Sequence, residues 1–303
     1  MAEAPHRATW LPILALTVNA GVWGVSWLPL RALQRYGVHP LWATALVMGL
    51  ALLAISLWRR GAWRGLWREP LLWGLFLASG ISNAGFNWAI TVGDVVRVAL
   101  LFYTMPAWAV LMAWFWLGER PHASTWAQLA LALVGVLVVL HTPGNPWPLP
   151  SSLADFLALA SGCAFAATNT LLRRAGHTAP AHRTWAMFAG GAGVSATVAA
   201  LLQAQGVVPA LPPAGLPWMG LALALGLAFT LGNLCLQYGA TRLSVLTTSL
   251  VMLSELLFAS LSAAAFDAAE ISARTLAGGA LIVTAAVLAA RQDARPNAPG
   301  APA

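Results

Sequence analysis

The chain contains no lysine, and acidic residues are scarce, with nine Asp and Glu in 303 residues. Charged residues of both signs make up 8% of the sequence, against about 25% in a soluble domain. That shortage excludes a fold that needs a water-facing polar coat. Only two cysteines occur, Cys163 and Cys235, with no CxxC or Cys/His spacing. A zinc site is therefore not expected, and inside apolar runs these residues read as small packing side chains rather than a disulfide. No Walker A sequence is present, so the chain carries no ATP-driven cassette. The glycines at 190, 191 and 193 follow no strand and precede no lysine, so they are packing residues, like Gly278 and Gly279. The six histidines (6, 39, 122, 141, 177 and 182) lie at the ends of apolar runs or between them, and no HExxH occurs. No cofactor and no metal are expected.

What is present is apolar. Hydrophobic residues account for 59% of the chain, and the mean hydropathy is +0.74. A bilayer as solvent removes the need for a polar coat. All 16 basic residues are Arg, and the formal charge is +7. In a soluble protein that excess would point to nucleic acid. Here the Arg residues sit at the ends of apolar runs, so the partner is the lipid bilayer and no nucleic acid is expected.

Ten apolar runs separate at Gly, Pro and Arg. They are Trp10–Leu30, Leu41–Trp58, Leu71–Val92, Val98–Leu117, Thr125–Leu140, Phe156–Leu172, Thr184–Gln203, Leu216–Tyr238, Leu243–Ala265 and Thr275–Ala290. Each is long enough, or nearly so, to cross a bilayer as a helix. The first lacks a small-x-small cleavage site and reads as a retained span. The expectation is an all-α membrane protein of ten transmembrane helices. With both termini inside, twelve Arg are cytoplasmic and four (Arg31, Arg35, Arg97, Arg274) are outside, which fixes the orientation in a bacterial inner membrane. The alternation of Trp and Arg over 58–68 reads as an aromatic belt with a basic anchor, or as a basic amphipathic surface segment. The Pro-rich stretches His141–Pro150 and Val208–Pro217 read as outer loops.

The two halves align weakly. At an offset of 142, Arg31 meets Arg173, Trp23 meets Phe165 and Ser26 meets Thr168. From the third run the offset is 150, pairing Asn83 with Asn233, Asn87 with Gln237 and Met105 with Glu255. Each half holds five runs. An odd number forces the second half to insert upside-down, which gives two inverted five-helix repeats, residues 10–141 and 153–290. The tail, 291–303, is expected to be disordered and cytoplasmic.

Several short motifs recur in a familiar order: Trp23-Gly24 in the first run, Leu117-Gly118-Glu119-Arg120 after the fourth, Leu171–Arg174 ending the sixth, and Ser254-Glu255 in the ninth. Together with the ten runs they make the chain resemble the EamA-type branch of the drug/metabolite transporter superfamily over about residues 10–290. The resemblance implies a ten-helix carrier of inverted repeats with cytoplasmic termini. It also implies transport of amino acids, nucleosides, vitamins or other small metabolites, often outward. The chain departs from the pattern in its second half, where Ala268-Ala269 stand opposite Gly118-Glu119 and Leu256 opposite Pro106.

Glu255 is the only ionisable side chain near the centre of a run. A charge there costs roughly 3 kcal/mol even on a lenient insertion scale, so such residues face a bundle interior or a wet cavity. It shares one helical face with Thr248, Met252, Ala259 and Ser262. It reads as a contact for a substrate ammonium or as a proton carrier, which would suit proton coupling; a carboxyl bonded only to neighbouring helices is the alternative. Asn83 and Asn87 in the third run and Asn233 and Gln237 in the eighth repeat the same spacing, and Thr168 and Asn169 lie in the sixth. They read as substrate contacts or as interhelical glue. Trp23 and Tyr103 can line an aromatic cavity, and Pro29 and Pro106 can kink their spans. The chain thus reads as a monomeric secondary transporter, not an enzyme, that binds a small-molecule substrate at a midplane cavity. An uptake carrier for a vitamin or nucleoside is the nearest alternative. A membrane enzyme, a channel and a non-transporting scaffold are further rivals.

Overall fold

The computed structural model describes residues 10–93, 95–140, 150–266 and 273–293. The expected loop over 141–149, the acidic pair Asp267 and Glu270, and the tail from 294 lie outside the described residues. All regular structure among the described residues is helical. The first half contains α1 (Trp10–Val25), α2 (Trp27–Arg35), α3 (Pro40–Trp58), α4 (Arg64–Arg68), α5 (Leu71–Val92), α6 (Val95–Phe102), α7 (Met105–Leu117) and α8 (Ala123–Leu140). The second contains α9 (Leu153–Arg174), α10 (Pro180–Ala204), α11 (Leu216–Ala240), α12 (Val245–Met252), α13 (Ser254–Ala265) and α14 (Ala273–Asp293).

Among the described residues, eight helical stretches are long and apolar enough to cross a membrane. Two of the ten expected spans fall short, for different reasons. Leu71–Val92 has the length, but Asn83 and Asn87 lower its hydropathy, and Ala123–Val139 is apolar but shorter. The outer face is greasy: Leu57, Phe115 and Leu216 expose 70%, 73% and 87% of their surfaces. A surface of that kind is suited to lipid rather than water. Arg59 and Arg64 stack over Trp58 and Trp63 in the basic stretch after α3, at 4.8 and 5.6 Å.

Local chemistry sets several helix ends. Ser152 and Asp155 form a capping box that starts α9 three residues before the apolar run begins. Pro180 opens α10 at a position where a missing N–H does no harm.

The runs expected as continuous spans at 10–30, 98–117 and 243–265 are each divided. Pro29 cannot donate to the carbonyl of Val25, and the chain breaks at Ser26, whose hydroxyl bonds the Trp23 carbonyl at 2.7 Å. Pro106 cannot donate to Phe102, and the break falls at Tyr103-Thr104. The ninth run breaks at Leu253 without any proline. There the turn tightens, with Leu256 N–H donating to the Leu253 carbonyl at 3.1 Å.

The core is built by α5 against α9 and α10, α3 against α10, α1 against α11 and α13, and α8 against α14. One crossing bears directly on the site. A Cβ on Gly24 would lie 2.6 Å from both the Glu255 carbonyl oxygen and the Phe258 Cβ. Only glycine lets α1 approach the start of α13 so closely, which gives the Trp23-Gly24 pair its physical meaning.

Candidate functional site

Glu255 is the second residue of α13, immediately past the tightened turn at Leu253. It lies within the apolar stretch Val245–Ser262. With Trp23, Asn83, Asn87, Phe102, Phe165 and Met252, it lines an internal chamber of about 50 Å³. A second chamber of about 30 Å³ shares Trp23, Ser82, Asn83 and Phe165 with the first and adds Asn19, Thr168 and Asn233. The two are neighbours along one internal polar strip, formed where α1, α5, α9, α11 and α13 meet.

Tyr103, at the break between α6 and α7, is 4% exposed, and its hydroxyl lies near the Glu255 carboxyl. The breaks of two different helical stretches thus come close to each other. The freed Phe102 carbonyl packs on α9, where a Cβ at Gly162 would lie 2.5 Å from its oxygen. No basic side chain stands among the described residues lining either chamber. A half-buried carboxyl at an internal chamber without a counter-cation is suited to receiving one, or a proton, from elsewhere.

The amides divide by role. Asn83 donates to the Ser79 carbonyl at 2.8 Å and faces both chambers. Asn87 donates to Thr44 Oγ1 of α3 and lines the Glu255 chamber. Asn233 lines the smaller chamber, and its Nδ2 points to Met187 Sδ at 3.5 Å. Gln237, one turn on, stands behind it. Its Nε2 donates to Asn233 Oδ1 at 2.6 Å and Thr184 Oγ1 at 2.7 Å, while its Oε1 accepts from Arg183 Nε at 3.2 Å. Gln237 is therefore glue, lining neither chamber. Thr168 bonds its own helix at Ala164 O, 2.9 Å away, and lines the smaller chamber. Asn169 is 1% exposed, lines neither chamber, and has no partner for either amide atom. Trp23 stacks on Phe229 with ring centroids 4.3 Å apart.

The sequence reading missed Asn19, whose Nδ2 donates to Met252 Sδ at 3.2 Å. The signal was present: Asn19 and Trp23 are one helical turn apart, the spacing that singled out Asn83 and Asn87. It also missed Arg183, counted among the surface anchors. Arg183 is 4% exposed and donates to the carbonyls of Ala175, Gly176 and Thr178 at 2.8–3.2 Å, where α9 ends. Nothing in the sequence distinguishes it from its exposed neighbours.

Helices too apolar for water, wrapped around a lone carboxyl and amide-lined chambers, define a multi-pass membrane protein with an internal polar site. Residues 10–141 match the EamA-like transporter family. The chain is 31% identical over 136 residues to "Protein RarD" of Streptomyces exfoliatus, covering 42% of each. It is 27% identical over 250 residues to a Streptantibioticus cattleyicolor protein named "Probable terminal-alkyne amino-acid exporter", covering 80% of each. The chain thus matches about two fifths of the first relative's length and four fifths of the second's. A crystal structure of another protein superposes with a TM-score of 0.73 at 19% identity, over 93% of this chain and 97% of that one. That likeness concerns the fold alone. Over residues 10–141 the chain is similar to EamA-like transporters, and over four fifths of its length it resembles a relative named as an exporter.

Proposed function

We propose that this protein is a secondary active transporter of small zwitterionic metabolites, amino acids first, working by alternating access around the Glu255 chamber. One observation carries the reading: two broken helices bring Tyr103, at one break, beside the Glu255 carboxyl, just past the other, at an internal chamber. Broken helices at the midplane are how carriers present polar groups to a solute where lipid cannot reach. In this reading Glu255 pairs with a substrate ammonium or a proton, Asn83 and Asn233 orient a carboxylate, and Trp23 and Phe165 pack on the side chain.

The ten-span inverted repeat is part of the proposal, and several features support it. The breaks at 103 and 253 differ by the repeat offset of 150. Trp23 and its partner Phe165 line both chambers, and Asn83 and its partner Asn233 share one. Helix pairings also come in matched sets: α1 with α11 answers α9 with α5, and α1 with α13 answers α9 with α7.

Chambers of 50 and 30 Å³ hold one or two waters. Binding a metabolite therefore requires the halves to part, as rocking would achieve. The relative named as an amino-acid exporter supports amino acids and the outward direction, and the Arg distribution supports cytoplasmic termini in an inner membrane. The aromatic walls favour one alternative, a carrier for planar solutes such as nucleosides or vitamins.

The test is substrate-induced thermal stabilisation of the purified protein across amino acids, nucleosides and vitamins. The expected result is that amino acids stabilise the wild type and not Glu255→Gln. Equal stabilisation of both would remove Glu255 from the site, and stabilisation by nucleosides alone would favour the alternative.

A further inference from the structure

A polar cavity of about 720 Å³ lies apart from the chambers. It opens at the Arg-rich end of the bundle, between the ends of α7, α9 and α14 and the start of α12. Its walls carry charges of both signs: Arg120, Arg173 and Arg242 against Glu119 and Asp293. Arg173 Nε is 3.8 Å from Glu119 Oε1, a loose pair. Asp293 accepts from the Ser244 N–H at 2.7 Å. Burial raises the Glu119 carboxyl above its ordinary range, with Arg173 opposing and Asp293 adding to the rise. A volume of this size accommodates a small metabolite, and the two signs match a zwitterion.

Three elements run from this vestibule to the chambers, and each presents residues to both. On α1, Pro12 lines the vestibule and Asn19 and Trp23 the chambers. On α9, Arg173 lines the vestibule and Phe165 the chambers, with Asn169 one turn from each. Along α12 and α13, Thr247 lines the vestibule and Met252 and Glu255 the larger chamber, with Thr248 and Ser249 between. Buried polar atoms without a hydrogen-bond partner lie on all three of these elements, and others lie at Trp42, Trp108, Gln128 and Ser195. Asn169 has no partner for either amide atom, and Thr248 Oγ1, Ser249 Oγ and Asn19 Oδ1 have none either. Thr248 and Ser249 are fully buried. The face of α9 that carries Asn169 meets both α7 and the start of α12: Ala166 shares an apolar cluster with Ala109, Ala113 and Val245, and Arg173 donates to Leu243 O at 2.5 Å. Orphaned buried polar groups are rare and each calls for an explanation. A seam of them between the vestibule and the chambers is explained if the seam opens and is wetted.

We propose that the vestibule is a capture site for the transported zwitterion, and that the seam of Asn169, Thr248 and Ser249 is its route to the Glu255 chamber. The capture half rests on the transport reading; the route half does not. In a Cys163→Ala, Cys235→Ala background, single cysteines at Leu246 (vestibule wall), Thr248 and Asn169 are exposed in inside-out vesicles to a cationic, membrane-impermeant thiol reagent. Leu246→Cys is expected to react within minutes. Thr248→Cys and Asn169→Cys are expected to react at least tenfold more slowly at rest, and several-fold faster when amino acids are supplied. If neither reacts over hours while Leu246→Cys is fully modified, the seam is sealed packing and the route is overturned, whatever Glu255 binds. For capture, Glu119→Gln combined with Asp293→Asn is expected to raise the half-saturating amino-acid concentration at least fivefold from this side only. An equal effect from both sides, or none, overturns capture and leaves the Glu255 reading to its own test.

Discussion

The fourth and ninth spans break at matching points for unlike reasons. In the fourth, Pro106 withholds an N–H and the orphaned Phe102 carbonyl settles against Gly162. Met105, just past the break, is fully buried. In the ninth no proline intervenes; the turn at Leu253 tightens by itself, and the residue matching Met105 is Glu255, turned into a chamber. One break comes from a proline's missing N–H and keeps an apolar side chain beside it; the other forms without a proline and has the carboxyl beside it.

Exchanging the two characters should do the most damage. Met105→Glu buries a second carboxyl with no partner, an expected loss of about 3–5 kcal/mol, read as a collapse in the yield of folded protein from detergent. Next comes the support of the proline break. Gly162→Val pushes a side chain into the Phe102 carbonyl, and the expected destabilisation is about 2 kcal/mol, visible as a lowered thermal midpoint. Glu255→Gln keeps shape and removes charge, so transport is expected to fall at least tenfold, about 1.4 kcal/mol in barrier, with the thermal midpoint little changed. An equal loss of stability and flux would assign Glu255 to structure. The smallest effect is expected from Tyr103→Phe, which removes the hydroxyl beside Glu255. About 1 kcal/mol and a several-fold slower flux are anticipated, and unaltered flux would show that the two breaks act separately.

Much of this arrangement was legible in advance. Glu255 stood out because a carboxyl inside an apolar run has few bland explanations, and helical spacing put Asn83 and Met252 on the faces that line the chambers. Spacing could not separate Asn233 from Gln237. Both lie on one face of α11, but Arg183 and Thr184 of α10 occupy the Gln237 amide, and no local pattern reports which helix packs opposite. Asn169 was picked for the central site and lines neither chamber, because its place depends on how α9 meets its neighbouring helices. Arg183 was hidden among the anchoring arginines for the same reason.

Composition and hydropathy by themselves determined the solvent, the helical class and the approximate ends of the helices. Each follows from transfer free energies that add residue by residue along the chain. Only the tertiary structure decided which amides face a cavity and which hold helices together, why the ninth span breaks without a proline, and where polar groups lie buried without partners. Those are properties of neighbours distant in sequence, brought into contact by close crossings such as Gly24 on Glu255, and no stretch of sequence contains both sides of such a contact.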